Sequence, residues 1–264
     1  MSRLRRVGWR RLLLGFLSAT LIILLFLDWR SSQPYNDGTW DRVRKTGVLR
    51  VGMDASYPPF SDTPAGTPIG LDVDVANEIG RRLGLKVEIA NLGFDGLYEA
   101  LRTDQVDILI SALSFDPTKI DRVLYTASYV DAGQVLLSRN GSFGDMPALD
   151  GHTVAVEYGS GGDEAARVWE RRLHKLTIER FTLADDALNA ALTGAADAAL
   201  CDWVTARLYN RKHVGLLISP QMVTHDPYAI ATRISSYDLA GAISKAIGEM
   251  RQDGTLSRIV DRWL

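Results

Sequence analysis

The segment Gly47–Phe60, GVLRVGMDASYPPF, decides the fold. Its mostly apolar first half, Val48–Met53, predicts a β-strand covered on both faces, as in the middle of a parallel sheet. Two consecutive prolines then prevent a strand or a helix from continuing, so the chain must turn. That turn carries Asp54 and Tyr57. Because ligands of open α/β sheets bind beyond the carboxyl ends of the strands, we expect both residues to lie in a ligand site.

The composition is that of a globular protein, with 264 residues, 46% of them hydrophobic and 23% charged. Such a chain can form one large or two smaller domains. Six arginines and one aspartate lie within residues 1–30, which leaves 24 basic and 31 acidic residues in the remainder. An acidic folded part without a basic stripe argues against nucleic acid as a partner. We expect the protein to act on a small molecule instead.

Signatures of cofactor and metal chemistry are missing from the sequence. It contains no P-loop, no dinucleotide fingerprint, no nucleophile elbow and no His-x-x-Glu-His motif. The four histidines share no ligand-like spacing, and the single Cys201 allows neither an internal disulfide nor a cysteine-based zinc site. We therefore expect no cofactor, and we interpret Cys201 as a small buried residue of an alanine-rich strand.

Residues 1–38 form a signal or anchor segment followed by a polar linker. Five arginines precede the apolar run Leu12–Leu27, which is short for a membrane span and long for the core of a signal peptide. No small-x-small cleavage site follows the run, and this favours an uncleaved anchor over a cleaved signal. In both cases the positive flank predicts that the rest of the protein lies outside the cytoplasmic membrane of a bacterium, either tethered to it or secreted across it.

Strand and helix patterns alternate through the next hundred residues. The predicted elements are the helix Val73–Leu83 with Asp72 as its N-cap, the strand Leu85–Ala90, the short helix Gly96–Arg102 and the strand Val106–Ser111. Together with Val48–Met53 they form a βαβαβ unit, which is half of a doubly wound sheet. Tyr125–Tyr129 and Gln134–Ser138 are predicted to lead out of this unit.

A second α/β unit begins near Asn140. Its predicted strands and helices are Thr153–Glu157, Asp163–Leu173, Ile178–Phe181, Ala184–Leu192 and Ala196–Cys201. Tyr228–Arg233 is predicted to return to the first unit, and the helices Tyr237–Arg251 and Thr255–Leu264 close the chain. We therefore expect one lobe over residues 39–138 and 226–264, and another over residues 139–225.

Several motifs follow one another in a fixed order. They are LRVGMDASYPPF, GLDVDVANEIGRRLG, FDGLYEALRTDQVDILIS, ALSFDPTK, GQVLL, VAVEYGSGG, AADAALCD and QDGTLSRIVDRWL. Their order and spacing resemble those of the family 3 bacterial extracellular solute-binding proteins, the polar amino-acid receptors of ABC importers. The resemblance spans about Thr39 to Leu264. It implies a two-lobed α/β fold of the periplasmic-binding-protein type (type II), in which each lobe is a doubly wound sheet with flanking helices and the ligand cleft lies between the lobes.

The resemblance also implies roles for residues of the first lobe. Tyr57 and Phe94 resemble the aromatic pair that sandwiches the side chain of the ligand, and their apolar faces suit an aliphatic stem or a cation. Ser111, the backbone of Ala112, and Ser114 resemble the groups that hold the ligand's polar head. The alternative interpretation places these aromatic residues in the core.

In the second lobe, Ser160 and Gly161 resemble donors to an α-carboxylate. They begin a predicted helix, whose free N–H groups favour an anion. Asp202 resembles the carboxylate that accepts from an α-ammonium. At the position where the family usually has a carboxylate-binding arginine, this chain has Lys119, which keeps the charge without the planar fork. Either Lys119 binds a carboxylate as a point charge, so that Asp202 and Lys119 hold a zwitterion between the lobes, or the ligand is not a standard α-amino acid.

The resemblance thus implies a monomeric, non-enzymatic receptor that captures an amino acid, or a related small zwitterion or amine, for an ABC permease. Two alternatives remain. One is an enzyme on the same scaffold, similar to the cyclohexadienyl dehydratases, which would need a general acid in the cleft; Asp54, Glu157 and Asp202 are the acidic candidates. The other is a ligand sensor that acts through a partner.

Overall fold

The computed structural model describes residues 22–23 and 37–264. Among these residues no helix is both long and apolar enough to cross a membrane. The anchor expected over Leu12–Leu27 lies outside the described residues except for Ile22 and Ile23, which are helical and exposed. Of the predicted linker, only Asp37 and Gly38 belong to the described part.

The described part is an α/β fold with two sheets. In chain order, its elements are α1 (Thr39–Thr46), β1 (Val48–Met53), α2 (Leu71–Leu83), β2 (Lys86–Asn91), α3 (Leu97–Arg102), β3 (Ile108–Leu109), β4 (Val123–Asp131), β5 (Gln134–Arg139), β6 (Thr153–Glu157), α4 (Gly161–Glu170), β7 (Thr177–Phe181), α5 (Ala184–Thr193), β8 (Ala198–Asp202), α6 (Trp203–Asn210), β9 (Leu216–Met222), β10 (Pro227–Arg233), α7 (Tyr237–Gln252) and α8 (Thr255–Trp263). The predicted two-lobed α/β architecture is confirmed.

The first sheet has the strand order β2-β1-β3-β10-β4. Val51 of β1 lies opposite Ile89 of β2 and Ile108 of β3, and both pairings are parallel. β10 arrives from the other lobe and runs antiparallel to β3 and β4. Ile108 belongs to one core cluster and its neighbour Leu109 to another. Because successive residues of a strand point to opposite faces, this sheet is covered on both sides.

The strand predicted over Val106–Ser111 pairs only at Ile108–Leu109. Next to this short ladder, the buried carboxylate of Asp107 accepts from the backbone N–H of Arg50 at 3.0 Å. The same carboxylate binds the guanidinium groups of Arg42 and Arg50. A paired and hydrogen-bonded charge can be buried at this point, whereas an unpaired one could not.

The second sheet has the strand order β7-β6-β8-β5-β9, in which β5 is antiparallel to both of its neighbours. Strand β5 corrects the expected boundary, because the sequence placed Gln134–Ser138 in the first lobe. The strand pairs with β8 and β9, so the chain changes lobes at Ala132 and Gly133. The helix α6 and the edge strand β9 were not predicted.

Two crossovers, one before β5 and one before β10, join the lobes side by side. The backbone N–H of Ala132 donates to the carbonyl of Asp226 at 2.9 Å, and the N–H of Asp226 donates to Asp131 Oδ1 at 2.9 Å. A Cβ atom added to Gly133 would lie 1.9 Å from the carbonyl oxygen of Thr224. The two crossovers are therefore in direct backbone contact at Gly133.

The carboxyl-terminal helices α7 and α8 pack in the core of the first lobe. Leu239, Ile247 and Met250 of α7 are fully buried there, and Ile259 of α8 joins the same cluster. Their packing leaves the edge of the sheet where β1 ends free to line the space between the lobes.

Candidate functional site

Three adjoining cavities lie where the strands of the first sheet end and the second lobe begins. The floor cavity has a volume of about 370 Å³ and is lined by Asp54, Ser56, Tyr57, Phe94, Ser111, Ala112 and Tyr228. The interlobe cavity, of about 270 Å³, is lined by residues that include Tyr57, Phe60, Gln134, Asp202, Thr205, Asp226 and Tyr228. The loop cavity, of about 400 Å³, is lined by residues that include Phe94, Tyr98, Ala112, Ser114, Phe115, Asp116 and Lys119. Because neighbouring cavities share lining residues, they form one cleft.

Asp54 organises the turn that follows β1. Its backbone N–H donates to Ser111 Oγ at 3.1 Å, which ties the ends of two neighbouring strands together. Its carboxylate accepts from the hydroxyl of Ser56 at 2.6 Å and from the backbone N–H of Phe94 at 3.1 Å. The turn therefore fixes where Phe94 stands over the floor cavity.

Aromatic side chains form the walls of the floor and interlobe cavities. Tyr57 and Phe94 are 54% and 53% exposed, although both are large and flank a concave site. The ring of Tyr57 stacks on that of Phe60, with centroids 5.7 Å apart. Phe60 is buried and meets the ring of Tyr228 edge-on at 5.4 Å. A ligand that covered these exposed faces would gain apolar burial on binding.

A buried carboxylate lies beneath the floor cavity. Asp72 accepts from the backbone N–H of Ala112 at 2.8 Å and from the hydroxyl of Tyr129 at 2.8 Å. The prediction that Asp72 caps α2 is wrong, because the helix starts at Leu71 after Gly70 and no side chain caps it. The N–H of Ala112, a backbone group that the sequence placed among the ligand contacts, is thus committed to Asp72.

The surroundings of Asp72 predict a pH effect on stability. Burial raises the pKa of Asp72 to about 7, and hydrogen bonds from Tyr129 and Ala112 offset only part of the rise. Between the unfolded pKa near 3.8 and about 7, the native state holds a proton that the unfolded state has lost. Stability therefore falls with rising pH in this range, by at most about 1.4 kcal/mol per pH unit from this group.

We expect Asp72→Asn to remove this dependence, so the stability advantage of the unmodified chain over the variant shrinks between pH 5 and pH 7. Urea unfolding at half-unit pH steps measures it. Asp186→Asn, at an exposed site in α5, should follow the unmodified chain throughout. An advantage that stays constant or grows with pH would show that Asp72 is ionised across this range.

Lys119 is already paired within its own loop. Its ammonium binds the carboxylate of Asp116 and lies 4.9 Å from the ring centroid of Tyr98. The pair with Lys119, followed by hydrogen bonds from Thr118, lowers the pKa of Asp116 to about 2. The structure places Lys119 in the loop cavity and Asp202 in the interlobe cavity, so it does not bring these two charges into one cavity.

Asp202 lies at the end of β8 and is the N-cap of α6. Its Oδ1 accepts from the backbone N–H of Thr205 at 2.8 Å, and no cation of the described part of the chain pairs with its carboxylate. Sequence reasoning missed Asp226, which lines the same cavity. Burial and then the charges of Asp202 and Asp226 raise the pKa of Tyr57. Both carboxylates therefore act on the phenol that stands across the cavity.

A geometric signal for Asp226 was present in the sequence. It immediately precedes the returning strand β10, which runs antiparallel to β3. The start of an antiparallel strand lies at the same edge of a sheet as the ends of its parallel strands. Asp226 thus shares that edge with Asp54 and Ser111.

Ser160 and Gly161 form the start of α4. Ser160 Oγ accepts from the N–H of Asp163 at 3.2 Å and donates to the carbonyl of Glu157 at 2.8 Å. A Cβ atom added to Gly161 would lie 3.0 Å from Nε2 of Gln134. Neither Ser160 nor Gly161 lines the three cavities; the side chain of Gln134 lies between Gly161 and the interlobe cavity.

Known proteins are similar to this chain in sequence and in architecture. The profile of the bacterial extracellular solute-binding proteins, family 3, matches residues 49–264. The L-cystine-binding protein TcyJ of Escherichia coli K12 is 24% identical over 233 residues, which cover 86% of each chain. The lysine/arginine/ornithine-binding periplasmic protein of the same strain is 28% identical over 229 residues, or 82% of this chain and 87% of that protein.

Among solved structures, an ancestral cyclohexadienyl dehydratase is similar with a TM-score of 0.74 and 26% identity, over 84% of this chain and 95% of that one. The resemblance read from the sequence motifs is therefore confirmed by the family profile, which covers most of the chain. The two sheets and the cleft between them agree with it. This protein belongs to the bacterial extracellular solute-binding proteins, family 3.

Proposed function

We propose that the protein captures an amino acid, or a related small zwitterion or amine, outside the cytoplasm and delivers it to an ABC permease. The observation that carries this proposal is the interlobe cavity. There the carboxylate of Asp202 from the second lobe faces Tyr57 and Tyr228 of the first. An anionic group opposite aromatic faces suits a ligand with an ammonium group on an apolar stem.

Closure of the lobes would hold the ligand. Residues 39–131 with 227–264 would move against residues 134–222 about the two crossovers. A ligand favours the closed state only through contacts that the open state lacks. Asp202 and the aromatic walls lie on different lobes, so a ligand that touches both supplies such contacts.

The proposed contacts keep the roles assigned from the sequence and add Asp226. Tyr57 and Phe94 would cover the stem of the ligand, Ser111 and Ser114 would meet its polar head, and Asp202 would accept from its ammonium. The other contacts assigned from the sequence are Asp54, Ala112 and Lys119, which line the cleft, and Ser160 and Gly161, which do not.

The names of the relatives support a nitrogen-bearing ligand and an importer as the partner. Two of them bind L-cystine and lysine, arginine or ornithine, and another is named an amino-acid ABC transporter-binding protein. We also propose an extracytoplasmic location, a monomeric state and a tether formed by the arginine-flanked run Leu12–Leu27.

A thermal-shift screen tests the proposal. The full chain in mild detergent is heated with each of the twenty amino acids and with small amines. A ligand at a hundred times its dissociation constant stabilises by about 2.7 kcal/mol, which should raise the melting temperature by about 5–11 °C for a domain of this size. If no amino acid or amine shifts the melting temperature while neutral sugars or dicarboxylates do, the proposal is wrong.

A second candidate is an enzyme, favoured by the similarity to an ancestral cyclohexadienyl dehydratase. Asp54 lines the floor cavity beside Phe94 and is the acidic side chain best placed to act there, although Ser56 and the N–H of Phe94 already occupy its carboxylate. We expect a receptor rather than an enzyme. Mass spectrometry after prolonged incubation should return the stabilising ligand unchanged, and conversion that Asp54→Asn abolishes would establish an enzyme.

A further inference from the structure

The charged side chains that line the cleft are strongly unbalanced. Over the three cavities they are Asp54, Asp116, Lys119, Asp202 and Asp226. The one cation among them is paired with Asp116. Within residues 37–264, no lysine, arginine or histidine forms an ion pair with Asp54, Asp202 or Asp226. The floor and interlobe cavities therefore present net negative charge to an incoming ligand.

Two groups of the first lobe that could hold a carboxylate, the ammonium of Lys119 and the backbone N–H of Ala112, are occupied by the protein's own carboxylates. Asp116 takes the ammonium of Lys119 and is itself held by the N–H of Thr118 at 2.9 Å and by its hydroxyl at 2.6 Å. Asp72 takes the N–H of Ala112. A ligand carboxylate would have to displace one of these partners, and Asp72 is fully buried. Binding a ligand carboxylate to Lys119 or to the N–H of Ala112 would gain little free energy, because each new contact replaces an existing one.

Acceptors for an ammonium, in contrast, are open. Asp202 uses one oxygen to cap α6, and its other oxygen is left for the cavity. The backbone N–H of Asp226 donates to Asp131, but no donor among the described residues forms a hydrogen bond with the carboxylate of Asp226. Gln134 lines the same cavity, but its unpartnered Oε1 atom is buried against the start of α4, 3.3 Å from where a Cβ atom of Gly162 would lie. The free carboxylate oxygens of Asp202 and Asp226 point to a ligand that brings N–H groups.

We propose that the cleft recognises the amine of its ligand and does not require an α-carboxylate, so that it takes primary amines and diamines, with Asp226 as a second specificity-determining carboxylate beside Asp202. This inference rests on the proposed function and narrows its ligand class. It agrees with the presence of lysine at position 119, since a site that needs no carboxylate contact does not need the planar fork of an arginine.

Matched pairs that differ only by the carboxylate test the inference. Isothermal titration of the full chain in detergent micelles compares lysine with cadaverine, ornithine with putrescine, arginine with agmatine and leucine with isoamylamine. We expect the amine of the tightest pair to bind at least as tightly as its amino acid. An amine that binds roughly a hundredfold more weakly, a loss of about 2.7 kcal/mol, would overturn the inference and leave the proposed amino-acid receptor intact. Failure of all four amines would also overturn the inference, whereas the proposed function would fall only if none of the twenty amino acids and small amines of the thermal-shift screen bound.

Substitutions separate the two ends of the ligand. Asp226→Asn should weaken binding of the preferred amine by about tenfold or more, as expected for loss of a partly buried charge pair, whereas Asp186→Asn should change it less than about twofold. Asp116→Asn frees Lys119 and should strengthen the amino acid of each pair relative to its amine. Unchanged affinity of the amine in Asp226→Asn, or an unchanged ratio within the pairs in Asp116→Asn, would contradict the assignment.

Discussion

Replacing Asp202 with asparagine should abolish detectable ligand binding while leaving thermal stability nearly unchanged. An asparagine keeps an oxygen that can accept from the N–H of Thr205, and it is as good an N-cap as aspartate. It removes the charge that faces the interlobe cavity. An ammonium group buried without its partner loses roughly 3–5 kcal/mol, which corresponds to a loss of affinity of about two to three and a half orders of magnitude.

The companion substitution Asp202→Ala separates the two roles of this side chain. It should lose ligand binding to the same extent and also lose the cap of α6, at about 1 kcal/mol of stability. Titration calorimetry measures the first effect and urea unfolding the second. If Asp202→Asn binds as tightly as the unmodified chain, the carboxylate only caps the helix and the ammonium site lies elsewhere.

Replacing Gly133 with alanine should destabilise the protein by about 3 kcal/mol, at the upper end of what overpacking usually does. The added Cβ atom would lie 1.9 Å from the carbonyl oxygen of Thr224, so the two crossovers would have to move apart. That movement also strains the bond from the N–H of Trp203 to the carbonyl of Gly133, which is 3.0 Å long. The melting temperature should fall by about 6–12 °C.

Gly241→Ala is the matched control for this change. Gly241 lies inside α7 and has no neighbour within 4 Å of an added Cβ atom, so alanine should stabilise the protein by about 0.5–1 kcal/mol. The melting temperatures of the two variants, measured by scanning calorimetry, should therefore shift in opposite directions. If the melting temperature of Gly133→Ala lies within about 2 °C of that of the unmodified chain, the loss of stability is small and the crossovers separate easily.

Much of the fold could be read from the local sequence. β1 and β6 have the predicted bounds, because each is a short apolar run with glycine or proline close behind it. β9 was not predicted because its sequence, LLISPQM, contains Pro220. A proline within such a run argues against a strand inside a sheet, but it is tolerated in an edge strand, which is what β9 is. α6 was missed because Asp202 was interpreted only as a ligand contact. In the structure Asp202 is the N-cap of α6, and its side chain accepts from the backbone N–H of Thr205. An aspartate is a preferred residue at this position of a helix.

Part of the candidate site could be predicted from the order of the sequence motifs rather than from local patterns. Tyr57, Phe94, Ser111 and Ala112 were assigned from motif order, and the structure brings them into one cavity. The pairing of Lys119 with Asp116 was not foreseeable, because residues three apart in a loop meet only if the loop winds as a short helix there. The role of Asp72 depends on long-range contacts with Ala112 and Tyr129, which no local pattern encodes.

A crystal structure with the most stabilising ligand tests the central claim most directly. We expect a nitrogen atom of the ligand at a hydrogen-bonding distance of roughly 2.7–3.2 Å from the carboxylate of Asp202, and the stem of the ligand against Tyr57. A fourth cavity, of about 360 Å³, shares Tyr98 and Lys119 with the loop cavity and is also lined by Arg102, Arg122 and Arg233. A ligand found only in that fourth cavity, with the interlobe cavity filled by solvent, would show that Asp202 does not bind the ligand.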